Sequence, residues 1–136
     1  GREFIDIDRE IELAAGKTIP QIFEEDGEEE FRRRESVVAA EAGKKTGVVI
    51  ATGGGIILRA ENYASLKQNG SIVFLKREIG CLATDGRPLS KDVEALQKMY
   101  RDRLPLYRRF CDYETDNNRA PEETAKQILT LLKFEQ

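Results

Sequence analysis

The 136-residue chain contains no histidine. That excludes His-ligated metal sites and Ser-His-Asp catalysis within it. It has only two cysteines, Cys81 and Cys111, at no metal-binding spacing. Two lone cysteines build no disulfide framework and suit a reducing compartment. No apolar run is long enough to span a bilayer. No signal-peptide pattern opens the sequence, so the expected location is cytoplasmic, with no membrane partner. Positive charge is not in excess. The net charge is −3 and the isoelectric point about 5.2, which argues against a nucleic-acid surface. The sequence also lacks a G-x-x-x-x-G-K-[ST] segment, the loop that cradles nucleotide phosphates.

What is present is the composition of an ordinary globular domain. Hydrophobic residues make up 40% and charged residues 35%, enough to bury a real core without disorder. Charge is local: Glu24 to Glu30 is acidic, and Arg32-Arg33-Arg34 follows directly. Residues 3–7 predict a short buried strand, followed by a helix that Asp8 caps and Gly16 stops. Thr18 and Pro20 begin a second helix, with Ile19, Ile22 and Phe23 on its apolar side and Asp26-Gly27 as its break. Glu28 to Ala42 predicts a longer helix, acidic at its start as the macrodipole favours, with Gly43 as its end.

Val48 to Ala51 is the clearest buried strand, closed by Thr52 and three glycines. A helix over Ala60–Asn69 and a strand over Ile72–Leu75 follow. Residues 76–90 predict mainly loop. Lys91 to about Arg103 is expected to be helical, with Pro105 interrupting or ending the helix. Tyr113–Thr115 predicts a strand, Asn117-Asn118-Arg119 a turn, and Pro121 opens a last helix through Leu132. This alternation describes an α/β fold with a parallel sheet and crossover helices.

Two of the predicted strands end in groups that can do chemistry. Phe4-Ile5-Asp6-Ile7-Asp8 ends in two carboxylates, which on a continued strand would point to one side. Such a pair binds Mg²⁺ or accepts a hydroxyl proton. The plainer alternative makes Asp8 a helix cap and Asp6 a solvated strand end. Val48-Val49-Ile50-Ala51-Thr52 leads into Gly53-Gly54-Gly55, whose bare backbone lets a ligand approach amides closely. A tight turn alone would need fewer glycines. Ligands of open α/β sheets bind at this carboxyl edge.

Arg32, Arg33 and Arg34 point in three directions on a helix, so at most one or two serve a single site. Glu35 is placed to hold Arg32. Arg33 and Arg34 fit a solvated face. Arg87, in Asp85-Gly86-Arg87-Pro88-Leu89, could close over a polyphosphate or be a surface charge. Arg103 has the same two readings. Cys81, Cys111 and Met99 read as packing residues.

In this order and spacing, Phe4–Asp8, Gly27-Glu28-Glu29-Glu30-Phe31-Arg32, Ala51–Gly55, Gly86–Leu89 and Arg103-Leu104-Pro105-Leu106-Tyr107 resemble the shikimate kinases over nearly the whole chain. The resemblance implies a three-layer parallel sheet with helices on both faces, of the nucleoside-monophosphate-kinase-like P-loop type. It implies ATP- and Mg²⁺-dependent phosphorylation of the shikimate 3-hydroxyl, in aromatic amino-acid biosynthesis.

Carried over by motif, Asp6 lies on the Mg²⁺ side, and Asp8 holds the shikimate hydroxyls and is the candidate base. Arg32 and Arg103 clamp the carboxylate. Gly53, Gly54 and Gly55 line the substrate and γ-phosphate. Phe23 and Phe31 wall the ring, Glu35 orients Arg32, Arg87 is the lid arginine, and Asn118 and Arg119 lie near adenine.

The resemblance further implies a single domain over 1–136, with a substrate-binding helical subregion at 9–45 and a lid at 76–92. This lid is short, because Lys76 to Gly86 is briefer than the family's usual stretch. The family's P-loop and first strand would precede Gly1, so an N-terminally incomplete and catalytically impaired chain is expected. Its expected state is a monomer, or an association through a sheet edge exposed by that absence. Two other readings stand beside this one: a shikimate-binding domain without catalysis, and another small P-loop kinase such as a gluconate kinase relative.

Overall fold

The structure is a computed structural model that describes residues 2–76, 90–118 and 120–132. The chain forms two compact units, residues 1–70 and 71–136.

In the first unit, β1 (Glu3–Asp6) runs parallel to β2 (Val48–Ala51), with Glu3 opposite Val48 and Asp6 opposite Ala51. Parallel neighbours need a crossover. Here it consists of three helices, α1 (Ile7–Ala15), α2 (Ile19–Asp26) and α3 (Glu28–Gly43). They bury one apolar cluster, Ile5, Ile7, Ile11, Ile22, Phe31 and Ala42, flanked by Ile19, Val38, Val48 and Ile50. Ile7 and Ile11 are one helical turn apart on α1, so both face that cluster. Phe4 and Val49, opposite each other in the ladder, are 64% and 51% exposed. β2 is therefore only half-buried, although its four apolar residues predict a fully buried strand.

The first helix begins earlier than the sequence suggests. β1 stops at Asp6, and α1 starts at Ile7. Asp6, not Asp8, is the cap: its Oδ1 accepts from the amides of Asp8 (3.1 Å) and Arg9 (3.4 Å). An extended Asp6 satisfies helix-end amides that would otherwise be unpaired. Asp8 already lies in the first helical turn.

Gly16 ends α1 in the left-handed region, at φ 72°. Thr18 opens α2 with a reciprocal cap: its Oγ1 accepts from the Gln21 amide, and Gln21 Oε1 accepts from the Thr18 amide. Glu12 Oε2 accepts from the Ile19 amide at 2.8 Å and ties the two helices together. After β2 come a 3₁₀ helix, Gly54–Leu58, and α4 (Ala60–Lys67). Gly43 is the last residue of α3, one beyond the expected helix. A side chain there would overlap the Ser65 carbonyl of α4.

In the second unit, β3 (Val73–Lys76) runs parallel to β4 (Tyr113–Asp116), with Val73 opposite Tyr113. The remaining helices are α5 (Ser90–Phe110) and α6 (Pro121–Leu132). Pro105 does not end α5, contrary to expectation. Proline removes one backbone bond, but the last turns are held by packing. Phe110 is buried, and Tyr107 stacks on Phe74 with ring centroids 4.9 Å apart. Thr115 donates to Gln127 Oε1 at 2.8 Å, joining β4 to α6. Among the described residues, no helix is long and apolar enough to cross a membrane.

Candidate active site

The register of β1 and β2 sets the geometry. Asp6 and Ala51 are paired, so both strands end at the same edge. Asp8 follows one strand end and Thr52–Gly55 the other. A Cβ on Gly53 would lie 3.3 Å from both carboxylate oxygens of Asp8. One on Gly55 would overlap the guanidinium of Arg32. Neither position is among the positive-φ glycines of the described residues, which are Gly16, Gly27 and Gly47. A side chain at Gly55 would displace the Arg32 guanidinium; the constraint there is the closeness of Arg32, not a left-handed backbone. The glycine run does not stay a loop: the Ile56 amide donates to the Gly53 carbonyl at 3.3 Å as the 3₁₀ helix begins.

Arg32 arrives from α3. Its side chain is mostly buried, and its Nη1 donates to Glu35 Oε1 at 3.0 Å, three residues on. Its Nε lies 3.4 Å from Glu28 Oε2, one turn before. The guanidinium carbon is 5.0 Å from the Phe31 ring centroid, a cation–π distance. Phe31 in turn packs against Phe23, with centroids 4.8 Å apart. Two carboxylates, one ring and the Gly55 backbone thus fix the plane of the guanidinium. Arg33 and Arg34 instead pair with Glu30 on the surface, and Arg33 holds the Glu30 carboxyl down to about 2. Of the three, Arg32 is the one that packs against the glycine run.

Burial pushes the Asp8 carboxyl above the ordinary 3.8; Asp6 and Glu12 add to this, and Arg32 opposes it. The strand argument for Asp6 and Asp8 does not hold, because only Asp6 is on the strand. The two remain close enough for Asp6 to act on Asp8 electrostatically. Among the described residues, no three Cys, Asp or Glu side chains converge as a metal cage. Mg²⁺ keeps several waters and takes one or two protein carboxylates. Asp6 fits that role, since its cap bonds occupy only Oδ1.

Arg103 and Asn118 belong to the second unit. Arg103 lies on α5, and the amide of Asn118 donates to Asp116 Oδ1 at 2.8 Å in the turn after β4. Arg87, Arg119, Cys81 and the expected lid, apart from its two ends, lie outside the described residues. Sequence reasoning overlooked Asn62, which is 1% exposed on α4. Nothing in the sequence marks it, since burial and a bond to a carbonyl six residues back leave no local pattern.

Parallel strand pairs with helical crossovers, and a carboxylate, an arginine and a glycine run at one strand edge, define an α/β protein with a candidate ligand site at the carboxyl ends of its strands. The chain belongs to the shikimate kinase family: the family model for shikimate kinase matches residues 1–133. A shikimate kinase of Acinetobacter baumannii (strain AYE) is 42% identical over 97% of this chain and 78% of its own length. One from Pseudomonas syringae pv. tomato is 40% identical over 95% of this chain and 80% of its own length.

Among solved structures, shikimate kinase from A. baumannii in complex with shikimate matches with a TM-score of 0.87. It is 37% identical and covers 98% of this chain and 80% of its own. Shikimate kinase from Aquifex aeolicus matches with a TM-score of 0.84 at 32% identity, over 98% and 82%. The α/β fold expected from the sequence is thus that of shikimate kinases.

Proposed function

We propose that this protein transfers the γ-phosphoryl group of ATP to the 3-hydroxyl of shikimate. One observation carries the reading: Asp8 against Gly53 and Arg32 against Gly55 put a base, a backbone surface and a cation within one small site. Shikimate carries hydroxyls and a carboxylate, the groups that such a site can pair. Asp8 accepts the hydroxyl proton as the substrate oxygen bonds to the γ-phosphorus and the bridging bond to ADP breaks. Its raised affinity for protons suits that role. Arg32 binds the carboxylate, and Phe23 and Phe31 wall the ring. Gly53–Gly55 orient the acceptor, and Arg87, Asn118 and Arg119 serve the nucleotide. When bound beside Asp6, Mg²⁺ would neutralise phosphate charge.

The proposal includes a monomer acting in the cytoplasm. Because no G-x-x-x-x-G-K-[ST] segment occurs among these residues, this 136-residue polypeptide is expected to bind shikimate better than it turns over ATP. Calorimetric titration with shikimate, gluconate and Mg·ATP, together with an ADP-release assay, tests the reading. Selective shikimate binding supports it. A folded protein that prefers gluconate would overturn it.

A further inference from the structure

We propose that Asn62 is a positioning residue for the shikimate site, holding the Gly53–Gly55 backbone in place through Ile56. The inference rests on the function proposed above.

Asn62 is 1% exposed, among the most buried side chains in the chain. Its Nδ2 donates to the Ile56 carbonyl at 2.9 Å, reaching back six residues. The Ile56 amide donates to the Gly53 carbonyl at 3.3 Å. These two bonds form a line from α4, through the 3₁₀ helix, to the residue against Asp8. The base of the line is also fixed, since the Asn62 amide donates to the Arg59 carbonyl at 3.1 Å.

The segment needs such a hold. Three successive glycines lose more backbone freedom on ordering than any other residues. A 3₁₀ helix of five residues exceeds the length that its own hydrogen bonds sustain well. Tolerance at the far end is small, because the Arg32 guanidinium lies directly against Gly55.

Asparagine is not the obvious filler for stability alone. Its Oδ1 is buried with no hydrogen-bond partner among the described residues, a cost that an apolar side chain would avoid. What it supplies is a directed donor.

The test compares the parent with Asn62→Leu, which keeps the bulk and removes the donor. Calorimetry reads the shikimate dissociation constant separately from the fraction of competent molecules. The constant is expected to rise about tenfold, the equivalent of one lost hydrogen bond. Without ligand, the amide resonances of Gly53, Gly54 and Gly55 should shift and their hydrogen exchange quicken. A purely structural role would lower the competent fraction, leaving the constant and the glycine amides unchanged; that result overturns the inference.

If Asn62→Leu does not fold, Asn62→Ser is read by the same criteria. If the parent itself binds no shikimate, the proposed function falls. The glycine amides then still decide whether Asn62 positions them.

Discussion

At the scale of single residues, Arg32 and Glu35 act as a buried pair, and that pairing shapes how a mutation reads out. Arg32→Ala should raise the shikimate KM by roughly ten- to a hundredfold, from ~1.5–3 kcal/mol for a charged hydrogen bond. It should also lower thermal stability, because Glu35 loses its arginine while 1% exposed. Adding Glu35→Ala should recover part of the stability and none of the affinity, measurable by scanning calorimetry and shikimate titration. Gly55→Ala should weaken shikimate binding by forcing Arg32 aside, whereas Gly53→Ala meets only the 3.3 Å approach of Asp8. Titrating both variants ranks them.

Asp8 yields a prediction about pH. Its carboxyl holds a proton more tightly in the folded state than in the unfolded one. Stability therefore falls as pH rises from 3.8 through the raised value, and the ionised group is a cost at neutral pH. Asp8→Asn should raise the melting temperature at pH 7, with the gain shrinking in acid. It should cut kcat by about a hundredfold or more.

At the scale of elements, caps and glycines decide what depends on what. Thr18→Ala loses the reciprocal cap of α2 and should cost about 1 kcal/mol in denaturant unfolding, leaving shikimate affinity unchanged. Gly43→Ala drives a methyl into the Ser65 carbonyl and should cost ~1–3 kcal/mol. It should also weaken shikimate binding, since α3 carries Arg32 and α4 carries the bond to Ile56.

Most elements were legible from the sequence because their signals are local: Gly16, Thr18-Pro20, Asp26-Gly27 and Pro121 each mark an end by backbone chemistry. The misreadings came where tertiary structure overrode a local signal. Either aspartate of Asp6-Ile7-Asp8 can cap a helix, and only the ladder with β2 shows that the strand stops at Asp6. Pro105 reads as a terminator, yet Tyr107 and Phe110 find partners that keep α5 going.

At the scale of the whole molecule, the site was readable where chemistry is written in residue type and order. Asp8, Arg32 and the glycine run were singled out that way, and the structure brings them to one strand edge. Asn62 was not, because burial and one long-reaching bond leave no pattern in the sequence. The 136-residue polypeptide should bind shikimate with measurable heat and Mg·ATP only feebly. Parallel titrations with the two ligands would check this.

The packing of Arg32 on Gly55 also constrains how such a sequence can drift. No side chain fits at position 55 while the guanidinium occupies that space. The two positions are therefore coupled in descent. Either change alone weakens the hold on a carboxylate, but a change at position 32 leaves room for a later one at position 55, whereas a change at position 55 first must push the guanidinium out of its place.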